Sequence, residues 1–276
     1  MRATREKWLE RQRRCWDFAA AGCLELSGWL ELHYTPITSA MLRLAPPPEG
    51  GRILDVACGT GGLTRRLATN AAYVVGTDLA PEMVAAAESA CEGLDNVAFE
   101  AVGAEDPVDT PRPFDAAYSR LGIMFCADVG LALRRIADVV KPEGTLCIAV
   151  WGPANQNQWS EVPSRILIEH HGLTPPGPDD PSAFHMADPQ AVRLALTEAG
   201  WRTYAQEPVL VPGWEEGGPE QTWERLRATA GPIGALFERT PEDERLALRK
   251  RILDALAEVP PGGLTGVAWV HAARRA

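Results

Sequence analysis

The sequence predicts an α/β protein: a doubly wound, mainly parallel seven-stranded sheet that carries a helical cap. Two observations support this prediction. Short apolar runs alternate with helical patterns along residues 52–151, which is the order that parallel strands joined by right-handed crossover helices produce. A glycine-dense turn at residues 58–62 directly follows the first apolar run, and such sheets bind ligands beside the carboxyl ends of their strands.

The first 50 residues are expected to form an N-terminal cap of two or three helices, because their aromatic residues fall on apolar helical faces. The proline- and glycine-rich residues 46–51 then interrupt regular structure. The core that follows is predicted to contain strands near residues 52–57, 73–78, 97–102, 114–119 and 145–151 and helices near residues 62–69, 81–91 and 129–140.

The alternation stops after Trp151 and resumes near residue 188. In the plain form of this fold the last two strands, here near residues 204–211 and 266–272, form a hairpin. In this chain about fifty residues intervene between them, and we expect mostly two helices there. The predicted segments are a helical cap at 1–50, a cofactor-binding core at 51–152, a cap insertion at 153–187, continued core at 188–213, a helical cap insertion at 214–260 and a final strand at 261–276.

The second insertion must bury its own apolar face. We expect it to roof the ligand site together with the N-terminal helices and the first insertion. Such a roof would make an enclosed, largely apolar pocket suited to a small molecule. The alternative is that the insertion is a peripheral ornament or forms the interface of a homodimer.

Two acidic residues, Asp55 and Asp78, stand at the ends of the first two predicted strands. An acid at the tip of the second strand is placed to accept both hydroxyls of a ribose. A dinucleotide site needs a third small residue after Gly59 and Gly61, but the chain has Thr64 there. Asp55 would also repel a pyrophosphate, whereas it could receive a ligand ammonium group. A ribose joined to an amino-acid end without phosphate describes S-adenosylmethionine; the alternative is a glycine turn that binds no ligand.

Four stretches along the chain resemble motifs of the class I S-adenosylmethionine-dependent methyltransferases, in particular their ubiquinone/menaquinone-biosynthesis-like branch. They are ILDVACGTGG at 53–62, DLAPEM at 78–83, FDAAYSRLGIMF at 114–125 and VVKPEGTL at 139–146. The resemblance is close over residues 51–152 and weaker in the flanks. It implies a Rossmann-like methyltransferase fold with S-adenosyl-L-methionine as cofactor and S-adenosyl-L-homocysteine as product, and it leaves the substrate open.

The resemblance places the cofactor site at matching positions of the core; two aromatic residues of the cap either close over it or belong to the hydrophobic core. These residues are Asp55, Ala57, Gly59, Gly61, Asp78, Leu79, Met83, Gly103, Ala104, Glu105, Ser119 and Arg120 in the core, and Trp16 and Tyr34 in the cap. The family usually has an acid at the position of Gly103, where it contacts the adenine amino group. Here backbone groups near Ala104 would take over, and Glu105 is either a substitute acceptor or a solvated loop acid.

Ser119 and Arg120 follow the fourth predicted strand and are expected at the mouth of the site. They would contact the amino-acid end of the cofactor or position the substrate. An ion pair with a nearby acid is the alternative for Arg120.

Five histidines are candidates for a general base, which a hydroxyl or carbon nucleophile requires. We single out His33, where the N-terminal cap meets the core, and His185, in the first insertion, as the pair expected to contact substrate. No Ser/His/Asp-like constellation surrounds any of the five, so each could equally be a packing or surface residue. The six cysteines lack metal-ligand spacing, and no metal is expected.

The net charge of −10 argues against nucleic acid as a partner, because phosphate-binding surfaces need clustered lysine and arginine. The locally basic residues 2–14 have the spacing of a solvated helix face. No apolar run reaches about 18 residues and no signal-peptide pattern opens the chain, so we expect no membrane span. Cysteines without a pairing pattern are typical of a reducing cytoplasm.

The sequence thus predicts an enzyme that transfers a methyl group from S-adenosylmethionine to O, N or C of a small, largely apolar metabolite, either a secondary metabolite or a quinone-like ring. The runner-up is a non-methylating cyclase or lyase that retains the cofactor site, because it would share every motif above. A cofactor-binding regulator without catalysis would leave the cap without an enclosed pocket.

Overall fold

Seven strands form the core of the described chain. The computed structural model describes residues 2–109, 113–177, 180–212, 214 and 216–276. The strands are β1 (Arg52–Val56), β2 (Tyr73–Thr77), β3 (Val97–Glu100), β4 (Phe114–Arg120), β5 (Val140–Trp151), β6 (Trp201–Val211) and β7 (Gly266–Arg275). They make one sheet in the order β3-β2-β1-β4-β5-β7-β6.

The sheet is parallel from β3 to β5 and antiparallel where β7 pairs with β5 and β6. In the middle, Leu54 of β1 pairs with Val75 on one side and Ala117 on the other. The strand order reverses between β1 and β4, which is where sheets of this kind bind ligands. The predicted doubly wound, mainly parallel seven-stranded sheet is confirmed.

Helices α1 (Arg2–Glu25), α2 (Ser27–His33) and α3 (Thr35–Leu44) precede the sheet. The later helices are α4 (Gly62–Ala68), α5 (Pro81–Ala90), α6 (Val129–Val139), α7 (Gln158–His170), α8 (Pro189–Glu198), α9 (Gly218–Thr229), α10 (Gly231–Glu238) and α11 (Glu242–Ala257). Within the described ranges, no helix has both the length and the apolar character needed to cross a membrane.

Two features of the chain differ from the prediction. β5 begins at Val140 rather than near residue 145, because a register shift against β4 accommodates the turn-forming Pro142 and Gly144. The second insertion contains a third helix, α10, that was not predicted. Its opening Gly231-Pro232 resembles a linker, although proline is favoured in the first turn of a helix because its missing N–H is not needed there.

The central strands are buried on both faces, which is why their sequences are nearly continuous apolar runs. Ile53 and Leu54 of β1 and Ala116 of β4 have no exposed surface. Helix α4 packs against β2, α5 against β3, α6 against β5 and α8 against β6. The sheet therefore has a rigid centre, and the loops that leave β1, β2 and β4 are anchored by buried strands.

The predicted cap segments pack against one another. Helix α1 contacts α5, α9 and α10, and α7 contacts α9, α10 and α11. Glycine allows the close approach at two points, since a Cβ on Gly22 would collide with the backbone of Ala228 and one on Gly231 with the backbone of Cys15. The N-terminal helices therefore pack directly on the second insertion. The predicted segment boundary at residue 213 lies outside the described residues.

The side chain of Asn157 joins three parts of the chain. Its Nδ2 donates to the carbonyl oxygens of Gly152, Pro153 and Val267 at 3.2, 3.1 and 3.0 Å. Its Oδ1 accepts from the backbone N–H of Val267 at 3.0 Å and from Nε1 of Trp159 at 3.2 Å. Asn157 has no exposed surface. One buried amide thus connects the end of β5, the start of α7 and the start of β7.

We expect Asn157→Ala to lower the free energy of unfolding by about 2–4 kcal/mol, because each buried group left without a partner costs about 1–3 kcal/mol. Asn155→Ala is the matched control, since Asn155 is exposed in the same loop and surface changes usually cost less than about 0.5 kcal/mol. Urea denaturation measures both variants. Equal stabilities would contradict the role assigned to the Asn157 amide.

Candidate functional site

A cavity of about 1310 Å³ opens at the carboxyl ends of β1, β2 and β4 beneath the cap. The cap contributes residues of α1, α7 and α10 and the segments 173–177 and 181–185. The predicted site residues that line it are Trp16, Tyr34, Asp55, Ala57, Gly59, Asp78, Leu79, Met83, Gly103, Ala104, Glu105, Arg120 and His185. Gly61, Ser119 and His33 are the predicted site residues that do not line it.

The loop that leaves β1 needs backbone angles that favour glycine. The φ angle is +55° at Ala57, +54° at Gly59 and +78° at Gly61. Nothing lies within 4 Å of a Cβ built on Gly59, whereas a Cβ on Gly61 would lie 3.1 Å from the side chain of Ala87 in α5. Gly59 therefore leaves the backbone open to the cavity, and Gly61 allows the loop to pack on α5.

Asp78 follows β2 and binds the backbone of two loops. Its Oδ2 accepts from the N–H of Gly59 at 2.9 Å and its Oδ1 from the N–H of Ala80 at 3.0 Å. Burial raises the pKa of this carboxyl group, and the two backbone hydrogen bonds oppose that rise. Each carboxylate oxygen can accept a second hydrogen bond. Since Asp78 lines the cavity, it can accept ligand hydroxyls.

Asp55 of β1 is a buried carboxylate with one unpaired oxygen. Its Oδ2 accepts from the Thr64 hydroxyl at 2.6 Å, whereas its Oδ1 has no partner among the described residues. Burial raises the pKa of Asp55 to about 7, and the Thr64 hydrogen bond and the charge of Arg120 oppose that rise. An unpaired buried acceptor is costly, and a cationic donor in the cavity would remove that cost. Thr64, which breaks the dinucleotide pattern, supplies the hydrogen bond.

Arg120, the last residue of β4, is paired within the protein. Its guanidinium forms an ion pair with Glu31 of α2 and donates to the Thr38 hydroxyl at 2.8 Å. It also lies 5.4 Å from the centre of the Tyr34 ring. Of the roles that the sequence left open, the structure shows the ion pair. The Glu31 carboxylate reaches the start of α4, where a Cβ on Gly62 would collide with it.

Ser119 and Glu105 lie in surroundings that the sequence did not indicate. Ser119 is fully buried within β4 instead of at the mouth of the site. Glu105 is 3% exposed, so it is not a solvated loop acid. Its carboxylate accepts from the backbone N–H groups of Ala127 and Asp128 and forms an ion pair with Arg5. Glu105 therefore ties the beginning of α1 to the loop before α6.

Asp106 also borders the cavity, although it was not among the residues predicted from the sequence. A Cβ on Gly103 would lie 3.1 Å from Oδ2 of Asp106, whose side chain is 49% exposed. An acidic oxygen is thus available near the position where the family usually has an acid. The adjacent acids Glu105 and Asp106 were the sequence signal that could have found it.

The structure separates the two histidines that were singled out. His33 is stacked on Trp29, with 4.6 Å between ring centres, and meets the edge of Trp214 at 4.9 Å. Burial lowers the pKa of His33 to about 4, assisted by the positive charge of Arg225. His185 lines the cavity, and its Nδ1 is buried without a partner among the described residues. His33 is therefore a packing residue of the cap, and His185 faces the cavity.

Aromatic side chains form much of the cavity wall. Trp16 meets Phe125 edge-on at 5.1 Å, and Trp159 is stacked on Trp214 at 4.1 Å with the ring planes 2° apart. Flat apolar surfaces of this kind suit a ring-containing ligand. In the part of the chain that the structure describes, no group of three or more His, Cys, Asp or Glu side chains could hold a metal ion.

Known proteins resemble this chain most clearly in its core. Residues 53–144 match the family described as a methyltransferase domain. The ubiquinone biosynthesis O-methyltransferase of Azorhizobium caulinodans is 38% identical over 104 residues, which cover 37% of this chain and 41% of that protein. Aklanonic acid methyltransferase DauC of Streptomyces sp. strain C5 is 30% identical over 118 residues, which cover 41% and 54%. The match thus spans about half of the length of these relatives.

Among solved structures, the cyclase SpnF aligns with a TM-score of 0.57 and 22% identity, covering 87% of this chain and 79% of SpnF. At that identity the likeness shows the fold alone. The core motifs, the sheet order and the matching relatives agree with one another. Residues 53–144 are therefore a methyltransferase domain of the class I S-adenosylmethionine-dependent type, and the relatives that this part of the chain resembles include ubiquinone biosynthesis O-methyltransferases.

Proposed function

We propose that this chain transfers a methyl group from S-adenosylmethionine to an O, N or C atom of a small, largely apolar metabolite, such as a quinone-like ring or a secondary metabolite. The observation that carries the proposal is the buried, unpaired Oδ1 of Asp55, in the wall of the cavity that Asp78 also lines. The two carboxylates fit the ammonium group and the ribose hydroxyls of the cofactor. A dinucleotide would instead bring phosphate against Asp55, and like charges repel.

Other parts of the cofactor also have fitting partners. The open backbone at Gly59 allows close approach, and the side chains of Leu79 and Met83 offer an apolar surface for adenine. Asp106 is proposed to accept a hydrogen bond from the adenine amino group. Glu105 is not assigned this role, because its oxygens are already engaged. When bound, the cofactor supplies an electrophilic methyl group. The protein binds it, orients the acceptor and excludes water.

The cap supports this function by enclosing the substrate. Trp16 and Tyr34 border the cavity from the N-terminal helices, and Trp159 and Trp214 border it from the two insertions. Rings held between such surfaces have few orientations, and correct orientation of reactants can supply up to ~7–11 kcal/mol of a reaction barrier. Alignment by the cap is therefore proposed as the main source of rate enhancement.

His185 is the proposed general base. It lines the cavity, and its buried Nδ1 lacks a protein partner among the described residues. A positioned base of this kind typically contributes ~10²–10⁴-fold to the rate. His33 is separated from the cavity by its aromatic neighbours and does not have this role.

The proposal is tested by incubating the protein with methyl-labelled S-adenosylmethionine and a panel of small phenols, hydroquinones and aromatic acids. Label in the acceptor, with an equal amount of S-adenosylhomocysteine, would support methyl transfer. Conversion of an acceptor while the label stays in S-adenosylmethionine would support a cyclase or lyase instead. A cyclase or lyase is the second candidate function because SpnF, a cyclase, shares this fold.

We predict that His185→Ala lowers the single-turnover rate of methyl transfer by ~10²–10⁴-fold at saturating cofactor, because the acceptor loses its base. His33→Phe is the matched control, since it keeps the aromatic stacking on Trp29. It is expected to change the rate by less than about threefold, below the contribution of a base. Rapid-quench kinetics measures both. Equal losses would remove His185 from acid–base catalysis.

We predict that Asp78→Ala weakens S-adenosylhomocysteine binding by about 1–3 kcal/mol, because ribose hydroxyls would lose a charged acceptor. Asp95→Ala, in an exposed loop that does not line the cavity, should bind with unchanged affinity. Isothermal titration calorimetry measures the affinity. The melting temperatures of the ligand-free variants show whether the Gly59 loop is also disturbed. Wild-type affinity of Asp78→Ala would exclude Asp78 from the site.

Cofactor affinity should depend on pH through Asp55. In the free protein the pKa of Asp55 is about 7, and a ligand ammonium beside the carboxylate favours its charged form and lowers that pKa. Below pH 7 the carboxyl must therefore lose a proton on binding, so affinity rises with pH by up to about tenfold per unit and levels off above pH 7.

Calorimetry of S-adenosylhomocysteine binding at pH 5.5, 6.5 and 7.5 checks this prediction, and buffers with different ionisation enthalpies reveal the released proton. Asp55→Asn should abolish the dependence between pH 5.5 and 7.5. Asp78→Asn, the matched control, should bind more weakly and retain it. A pH-independent wild-type affinity would contradict contact between Asp55 and the ammonium group.

A further inference from the structure

Both signs of charge line the cavity. The core contributes acids such as Asp55 and Asp78, and the cap contributes Glu31, Glu161 and Glu169 together with exposed arginines. The cap arginines that line the cavity are Arg11 and Arg14 of α1, Arg165 of α7 and Arg239 directly after α10. The cap acids are already paired, since Glu31 forms an ion pair with Arg120, Glu161 with Arg165, and Glu169 with Arg165 and Arg251.

Two of these arginines are neutralised and two are not. Arg14 pairs with Glu10 at 3.3 Å, and Arg165 pairs with two acids of its own helix. Within the described parts of the chain, neither Arg11 nor Arg239 has a carboxylate oxygen within 4.0 Å. The cavity therefore has two guanidinium groups that remain available to a ligand.

The position of Arg11 is fixed by an aromatic contact. Its guanidinium carbon lies 4.3 Å from the centre of the Trp8 ring. Trp8 in turn donates from Nε1 to the carbonyl oxygen of Phe125 at 3.0 Å, and both aromatic residues line the cavity. Stacking of this kind holds an arginine side chain in place while its N–H groups stay free to donate.

The ion pairs next to Arg239 explain why its guanidinium has no carboxylate partner among the described residues. The adjacent acid, Glu238, is already paired with Arg227 at 3.2 Å and with Arg245 at 2.9 Å. These contacts engage the nearest carboxylate in sequence and leave Arg239 without it.

Arg11 and Arg239 line the cavity from two helices that pack against each other. Helix α1 meets α10 where a Cβ on Gly231 would collide with the backbone of Cys15. Burial raises the pKa of the Cys15 thiol, and the charges of Arg11 and Arg239 are among those that oppose the rise. The packed helices α1 and α10 thus bring both arginines to the cavity that Trp16 and Phe125 also line.

We propose that the substrate of this site is an aromatic or other ring-containing anion, whose ring lies in the aromatic part of the cavity and whose negative group binds Arg11 and Arg239. The inference rests on the proposed methyltransferase function, because it names the class of acceptor. A planar guanidinium matches carboxylate, sulfonate and phenolate groups by charge and hydrogen bonding. Positive charge beside an apolar pocket also attracts such anions to it.

Two fluorescent probes of nearly the same shape test the proposal. The anion 8-anilinonaphthalene-1-sulfonate and the neutral N-phenyl-1-naphthylamine differ in the sulfonate group. Both are titrated into the protein saturated with S-adenosylhomocysteine, and into the variants Arg11→Gln and Arg239→Gln. Arg66→Gln is the matched control. Arg66 is exposed on α4 and does not line the cavity, and its substitution removes the same charge.

Each cavity variant is expected to bind the anionic probe about two- to fivefold more weakly, the effect of losing one exposed ion pair, and to bind the neutral probe as the wild type does. Arg66→Gln should leave both affinities unchanged. Equal loss of affinity for both probes, or no loss of affinity for the anionic one, would overturn the inference.

Calorimetry with S-adenosylhomocysteine is run alongside. Failure of that ligand to bind would refute the proposed function. Normal binding of that ligand, together with probe affinities that do not depend on the arginines, would refute only the anionic substrate.

Discussion

The burial of the Asp55 carboxylate is the constraint on which the rest of the site depends. Its position in β1, between β2 and β4, removes it from solvent, and only the Thr64 hydroxyl pairs with it among the described residues. A protein keeps such a group when something else compensates for the lost hydration. The ammonium group of the proposed cofactor would do so.

The sheet and the cap have separate tasks. Parallel strands bring Asp55, Asp78 and Arg120 to one edge, and their buried backbones keep these positions fixed. The cap is formed by three distant parts of the chain that pack on one another and supply the aromatic wall. In the proposed function the core therefore binds the cofactor and the cap selects the substrate, and the cap lies outside the matching residues 53–144.

Local patterns predicted the fold, whereas contacts between distant residues were not predictable. The alternation of apolar runs fixed the sheet class, and Asp55 and Gly59 lie within one motif. By contrast, the partner of Arg120 is Glu31, 89 residues away, and the partner of Glu105 is Arg5, 100 residues away. No periodicity links such pairs. His33 was misjudged for the same reason, since its aromatic neighbour Trp214 comes from the second insertion.

The most direct test is isothermal titration calorimetry of the wild-type protein with S-adenosylhomocysteine and with NADH. Both ligands contain adenine and ribose, but one carries an ammonium group where the other carries a pyrophosphate. The buried carboxylate of Asp55 predicts that S-adenosylhomocysteine binds with micromolar affinity, about 8 kcal/mol, and that NADH binds far more weakly. Tighter binding of NADH would contradict the assignment of this cavity to S-adenosylmethionine.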